Sequence, residues 1–237
     1  MNKGVLKSLN SKSLVENIID NFTNAIITGE FKPGDKIPSE AELCEAMQVG
    51  RSSLREAIKI LVAYGILYIR RGDGTYVQDN YSEKMLYPMI YGIILQKNYA
   101  KQLTDVRLVI DVGVLQMFMD ILTDELMSQV EERLDNLRKT LAKPGCTAEE
   151  VFNVDIAFHN YLVEATHNEI LVLLCNYMDK MTQVSRIDTT RKIIANDQLK
   201  DMLHKHEEIV DVLRRRDRDN ISKVMKSHYQ FWKAQME

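Results

Sequence analysis

The sequence predicts a mainly α protein in two unequal parts: a small N-terminal unit of three helices closed by a β-hairpin, then a larger all-α antiparallel helical bundle. Three observations lead there. Apolar residues recur at three and four along most of the chain, which is the helical period. Only Leu67 to Val77 reads as two short strands, joined at Arg70-Arg71-Gly72-Asp73-Gly74, where glycines permit the positive φ of a tight hairpin. Beyond it, helix-length segments are separated by short breaks, as in a bundle of neighbours that run back and forth. A length of 237 residues accommodates two domains. The boundary falls in the polar connection Gln78-Asp79-Asn80-Tyr81-Ser82, giving domains 1–78 and 79–237.

In the first part, Val15, Ile18, Ile19, Phe22, Ala25 and Ile26 mark an amphipathic helix that begins near Ser11 or Ser13 and stops at Gly29. A turn follows at Lys32-Pro33-Gly34-Asp35. Ser39 and Glu42 form an S-x-x-E capping box that opens a short helix through Met47. After Gln48-Val49-Gly50, the next helix buries Leu54, Ala57, Ile58 and Leu61 and ends at Gly65. Two helices on a tight turn, followed by the hairpin, make a winged helix-turn-helix with a small β-hairpin wing.

The second part carries helical periods over Glu83 to Gln96, Thr104 to Ile121, Asp124 to Leu141, Ala148 to Ala165, Glu169 to Arg186, Leu199 to Arg215 and Asn220 to Ala234, while Ile187 to Gln198 is ambiguous. Thr147 and Glu150 supply another capping box, and Lys143-Pro144-Gly145 breaks the helix before it. The longest apolar run, Leu86 to Leu95, is about half of a membrane span. Polar residues follow Met1-Asn2-Lys3-Gly4-Val5 instead of an apolar leader core, so cytoplasmic residence without a membrane is expected. Cys44, Cys146 and Cys175 are odd in number, widely separated and lack a CxxC pair, so neither a disulfide framework nor a thiolate zinc site is indicated.

Charge separates the two parts. The net charge of -3 argues against a chain that coats nucleic acid indiscriminately. Between Gly50 and Gly72, however, Arg51, Arg55, Lys59, Arg70 and Arg71 face only Glu56. Arg51, Arg55 and Lys59 form a stripe opposite the buried face of their helix. A helix fits the major groove, and an arginine fork donates two bonds to guanine O6 and N7. A basic stripe alone also reads as a solvated helix face. The neighbouring hairpin and its arginines favour DNA.

A second cluster lies in the last third. Asp155 and His159 stand at i and i+4, on one face of a single turn. His206 and His228 are equidistant from Asp217 in the turn Arg216-Asp217-Arg218-Asp219-Asn220, so in an antiparallel hairpin they sit level. Carboxylate oxygen and imidazole nitrogen suit zinc, with nickel or manganese as alternatives. His204 points away from His206, and His167 lies by a helix boundary, so neither belongs to the set. The methionines read as core filler.

Two resemblances gather these motifs. The run Pro38-Ser39-Glu40, then Val49-Gly50-Arg51-Ser52-Ser53-Leu54-Arg55-Glu56-Ala57-Ile58, then Leu61, Gly65 and Arg71-Gly72-Asp73-Gly74-Thr75-Tyr76-Val77 resembles the GntR family of bacterial transcription regulators. The resemblance implies base or phosphate contacts from Arg51 and Arg55, phosphate contacts from Ser52 and Ser53, and minor-groove insertion around Arg71 and Gly72. Ser39 and Lys59 complete the expected DNA-facing set. Gly50 stands where the family often has serine and Ala41 where relatives commonly carry arginine. The pattern Asp155-x3-His159, His206 in His206-Glu207-Glu208-Ile209, His228, Arg107 in Thr104-Asp105-Val106-Arg107, and Asn168-Glu169-Ile170-Leu171 resembles the FCD ligand-binding domain of the FadR subfamily. It implies one divalent metal per subunit on Asp155, His159, His206 and His228, with a small organic acid at the open coordination positions. Arg107 either neutralises the effector carboxylate or makes a structural salt bridge.

The combined expectation is a homodimeric regulator that is not an enzyme, binds a pseudo-palindromic double-stranded DNA operator and responds to a small carboxylate effector. Two alternatives stand beside it: a metal-independent regulator responsive to acyl-coenzyme A, and a metal-dependent hydrolase. The hydrolase lacks an HExxH or GxSxG motif.

Overall fold

The computed structural model describes residues 12–236. The opening Met1 to Val5, and Ser11 as a helix start, lie outside the described residues. Ser13 caps α1 (Leu14–Ile27): its hydroxyl accepts from the Glu16 amide while the Glu16 carboxylate accepts from the Ser13 amide. Ser39 and Glu42 do the same for α2 (Glu40–Met47). Gln48 closes α2 in the left-handed conformation and the chain turns into α3 (Arg51–Ala63), whose N-cap Gly50 offers no side-chain bond. α3 packs on α1 and α2, burying Ile18, Phe22, Leu43, Leu54, Ala57, Ile58 and Leu61. Strands β1 (Leu67–Arg70) and β2 (Gly74–Val77) pair antiparallel with Leu67 opposite Val77 and Arg70 opposite Gly74. Both Leu67 and Val77 are buried in the same core.

Gly65 is the stop between α3 and the wing. Its φ is +74 degrees, and a Cβ on Gly65 would lie 2.8 Å from Ser82 Oγ. Gly65→Ala therefore meets both a left-handed backbone and a close neighbour, for an expected loss of about 1–3 kcal/mol in urea unfolding. An unchanged midpoint would show that the turn relaxes freely.

The chain forms two compact units, the first running to Ile93 and the second beginning at Ile94. The segment expected as one helix over Glu83 to Gln96 is a 3₁₀ turn (Glu83–Leu86) followed by α4 (Tyr87–Ile94). Pro88, which lacks an amide donor, suits the first turn of the new helix.

The second unit contains α5 (Tyr99–Ile121), α6 (Asp124–Ala142), α7 (Ala148–Glu164), α8 (Glu169–Ala195), α9 (Leu199–Arg214) and α10 (Ile221–Met236). Short connections return the chain between α6 and α7, α7 and α8, and α9 and α10, and each of these pairs packs together. Phe118, Leu137, Phe158, Ile193, Met202, Ile209 and Leu213 fill the core. Two helices are longer than their periodicity suggests. α5 begins at Tyr99 because the Thr104 hydroxyl donates to the Ala100 carbonyl, so Thr104 lies inside the helix. α8 continues through the ambiguous stretch to Ala195, where Thr189, Thr190 and Ile193 are buried against the bundle; the hydroxyls of Thr182, Thr189 and Thr190 likewise donate to carbonyls one turn back. Among the described residues, no helix is long and apolar enough to cross a membrane.

Candidate metal centre and nucleic-acid interface

Asp155 and His159 on α7, His206 on α9 and His228 on α10 converge inside the second unit, all buried. The three imidazoles offer nitrogens within 4.8 Å of one another. The rings of His206 and His228 are 4.9 Å apart, level across the α9–α10 hairpin. Asp155 Oδ1 lies 2.9 Å from His206 Nε2 and 4.0 Å from His159 Nε2.

The polar atoms here are poorly satisfied. His206 Nδ1 is 2.8 Å from the Met202 carbonyl, so in the neutral ring the Nδ1 proton donates there and Nε2 presents a lone pair toward the carboxylate. The separation allows an ion pair, yet the geometry closes no hydrogen bond: Asp155 Oδ1, His206 Nε2 and His228 Nδ1 are all buried without a hydrogen-bond partner in the protein. Burial pushes the His159 and His228 imidazoles well down, with His206 adding to the effect at both and Asp155 opposing it. Burial alone would raise the Asp155 carboxyl, but His206, Arg186 and His159 outweigh it and hold the acid well below the usual carboxylate range. Three imidazoles around an ionised carboxylate, with unsatisfied buried nitrogen and oxygen atoms among them, fit a divalent cation.

The cluster opens on a cavity of about 540 Å³ of non-atom space, part of it open to solvent, lined by Arg107, His159, Asp179, Thr182, Arg186 and His228 among others. Arg107 donates to Asp111 and Asp179, each at 2.8 Å, and Tyr229 donates to the other Asp111 oxygen. Arg186 donates to Asp155 Oδ2 and Asp179 Oδ1, which ties the Asp155 carboxylate to the cavity wall. Asp179 Oδ2 is buried without a partner in the protein. Two guanidinium groups thus sit among three carboxylates, Asp111, Asp155 and Asp179, and a divalent ion would turn this local balance from -1 to +1.

In the first unit, α3 presents Arg51, Ser52, Arg55 and Lys59 to solvent, with Ser53 half-buried. Arg55 Nε donates to Glu40 Oε2 of α2 at 2.7 Å. On the wing, the Arg70 guanidinium lies 4.5 Å from the Tyr76 ring centroid and 3.7 Å from the Asp73 carboxylate, while Lys36 donates to Asp73 at 2.8 Å. Arg71 and Gly72 form the exposed tip. Two of the five cations counted against Glu56 therefore have acidic partners from outside that segment. Among the described residues, no ion pair takes up Arg51, Lys59 or Arg71.

Residues 14–77 match the model of bacterial regulatory proteins of the gntR family, and residues 102–231 match the FCD domain. The chain belongs to the GntR family. Its FCD domain places it with the FadR-type members. The regulator LutR of Bacillus subtilis (strain 168) is 32% identical over 168 residues, covering 71% of this chain and 74% of LutR. The galactonate operon transcriptional repressor of Escherichia coli (strain K12) is 23% identical over 86% of this chain and 88% of its own length. In fold, a GntR protein of Streptococcus agalactiae superimposes with a TM-score of 0.56 at 25% identity, covering 92% of this chain and 98% of that one. This GntR chain is a DNA-binding transcription regulator with an FCD effector domain.

For this GntR protein, the residues expected from the sequence fall into three groups. Asp155, His159, His206 and His228 are brought together. Arg107 reaches the same cavity, engaged by Asp111 and Asp179 in the salt-bridge arrangement that was one of its two readings. Ser39 uses its hydroxyl in the α2 cap, accepting from the Glu42 amide and donating to the Glu42 carboxylate. Sequence reasoning missed Arg186 and Asp179. Their signal was available: Asp179, Thr182, Arg186 and Thr189 recur at three and four, a polar stripe on one face of α8.

Proposed function

We propose that this GntR regulator binds one divalent metal per subunit, zinc in the first instance, through Asp155, His159, His206 and His228, and that a small carboxylate bound beside it modulates operator affinity. The observation that carries this reading is the set of buried, unpartnered atoms on Asp155, His206 and His228, of which His228 lines the cavity together with His159. When bound, the ion supplies open coordination positions to carboxylate oxygens. The chain's own residues do the rest. Arg107 and Arg186 meet the anion's charge, the unpartnered Asp179 Oδ2 accepts from a hydroxyl, and Thr182 and Thr189 line the same wall. That wall suits a hydroxycarboxylate, and one relative is named for the operon of a sugar acid, galactonate.

The regulator acts as a homodimer on a pseudo-palindromic operator: Arg51, Arg55 and Lys59 of α3 face the major groove, Ser39, Ser52 and Ser53 the phosphates, and Arg71 and Gly72 the minor groove. One recognition helix reads few base pairs, which favours two-fold pairing. Effector binding alters DNA affinity only to the extent that its affinity differs between the two states.

The test is operator affinity measured with a panel of small hydroxycarboxylates, on metal-loaded and chelated protein. At least one acid is expected to shift affinity, and the shift is expected to vanish on chelation. An acid that shifts affinity equally in both preparations would remove the metal from the effector site.

A further inference from the structure

The wing carries two adjacent arginines, and the fold treats them differently. Arg70 is restrained on three sides: its guanidinium lies 4.5 Å from the Tyr76 ring centroid, donates to the Tyr68 hydroxyl at 3.1 Å and stands 3.7 Å from the Asp73 carboxylate. Tyr68 and Tyr76, opposite each other on β1 and β2, stack with ring centroids 5.5 Å apart and form the shelf on which Arg70 lies. Asp73 is itself fixed from two directions. Lys36 donates to one of its oxygens at 2.8 Å and the Tyr76 hydroxyl to the other at 2.6 Å. Lys36 first and Tyr76 second hold the Asp73 carboxyl below its usual range, so it stays ionised. Lys36 comes from outside the hairpin. The Ile37 amide donates to the Thr75 carbonyl and the Val77 amide to the Asp35 carbonyl, each at 2.9 Å, so residues 35–37 run along the free edge of β2. A Cβ on Gly74 would lie 2.5 Å from Lys36 Cε; glycine there lets the lysine cross the strand to Asp73. Arg71, by contrast, is exposed at the tip, and no ion pair among the described residues engages it.

We infer that Asp73 is a positioning residue for DNA recognition: it withholds Arg70 from the duplex and leaves Arg71 as the one arginine that the wing inserts into an A·T-rich minor groove. The inference rests on the wing reading proposed above and adds what decides between the two arginines. A·T tracts have a narrow minor groove whose negative potential draws in arginine. At ~6 Å wide, the groove leaves little room for a second guanidinium beside the first. Two free arginines would compete for it, and the loser would settle on flanking phosphates, adding affinity without sequence preference. A carboxylate against Arg70 prevents this, and it matters little to folding because the pair faces solvent. Arg55 has only its carboxylate to exchange for DNA, whereas Arg70 must also leave two rings. Removing the Asp73 charge is therefore expected to add a DNA contact, an effect opposite in sign to that of a damaged wing.

The experiment is a double-mutant cycle on the full chain: wild type, Arg70→Ala, Asp73→Asn and the two combined. Affinity is measured across a salt titration on the duplex that the wild type selects from a random-sequence pool. Arg70→Ala alone is expected to leave the slope of log affinity against log salt unchanged. Asp73→Asn is expected to steepen it by about 0.9, one added phosphate contact, and the combined variant to return it to the wild-type value. Arg71→Ala locates the base pairs under the wing, as the positions where preference for A·T over G·C drops on the order of 10-fold. Asp73→Asn is expected to weaken preference at those same positions. A steepening that survives in the combined variant would show that Asp73 merely repels phosphate, and it overturns the inference. So does an Arg70→Ala variant with a shallower slope, or an Asp73→Asn variant with the wild-type slope; each leaves the wing reading intact. An Arg71→Ala variant that relaxes no position overturns that reading and the inference with it. Should Asp73→Asn lower the urea midpoint, Asp73→Ser takes its place in the cycle, serine being at home in turns, with the same steepening expected and an unchanged slope counting against the inference.

Discussion

The His206→Ala/His228→Ala double variant is expected to purify without its divalent ion and to lose the thermal stabilisation that metal gives the wild type. Binding to the folded state alone stabilises by about 4.1 kcal/mol when free metal stands at 1,000 times its dissociation constant. Removing two of the four proposed ligands should abolish that increment. In chelator the two proteins differ much less, because alanine removes two unpartnered buried nitrogens while leaving space behind. The diagnostic quantity is therefore the rise in Tm on adding zinc, large for the wild type and near zero for the variant. Equal metal content by elemental analysis after identical purification would remove these residues from the site. Acid should act in the same direction on the chelated protein. Burial holds His159 and His228 neutral in the fold, whereas imidazoles of the unfolded chain take up protons near pH 6.5. The unfolded state then binds more protons, so the stability present above about pH 6.5 is lost progressively as pH falls toward the lowered folded values. A urea midpoint independent of pH between about 7.5 and about 5, either side of the ordinary imidazole pKa, would contradict this.

What made this site legible was spacing within helices. The i, i+4 pair of Asp155 and His159 is local, and the equal distances of His206 and His228 from Asp217 become adjacency once α9 and α10 fold back, leaving their rings 4.9 Å apart. Capping chemistry located the starts of α2 and α7 for the same reason, since Ser39 with Glu42 and Thr147 with Glu150 act over three residues. The remaining parts depend on partners distant in sequence. Arg186 matters because it joins Asp155 on α7 to Asp179 on its own helix, a relation that no local period states. The stripe is further obscured because the helical period fades after Arg186, where β-branched threonines lower helix propensity; in the fold their hydroxyls bond the preceding turn. Arg107 kept two readings in sequence because a buried arginine needs a carboxylate either way, and the fold supplies Asp111 and Asp179. Similarly, the charge count over Gly50 to Gly72 could not register Glu40, which approaches Arg55 only when α2 and α3 pack.

That Glu40–Arg55 pair shapes the second large effect. Arg51→Ala and Arg55→Ala are expected to weaken operator binding strongly while changing the stability of the protein little. Both side chains are exposed, and Arg55 with Glu40 is a solvent-facing pair at 61% and 41% side-chain exposure, so its loss costs stability about 1 kcal/mol or less. The same exposure lets Arg55 exchange the carboxylate for DNA. Salt dependence then separates the roles. Each phosphate contact removed should lower the slope of log affinity against log salt by about 0.9, with affinity falling alike on specific and random sequence. A lost base contact should instead leave the slope nearly unchanged and relax discrimination at one position by roughly 1–3 kcal/mol. Arg55 is expected to behave in the second way, because Glu40 holds its guanidinium at the junction of α2 and α3. Glu40→Gln then supplies the control: if the carboxylate orients Arg55, this variant loses part of the same sequence preference although a negative charge facing DNA has been removed. If Glu40→Gln binds every sequence more tightly with its preference intact, Glu40 contributes only repulsion; if neither arginine variant changes operator affinity, α3 is not the reading helix.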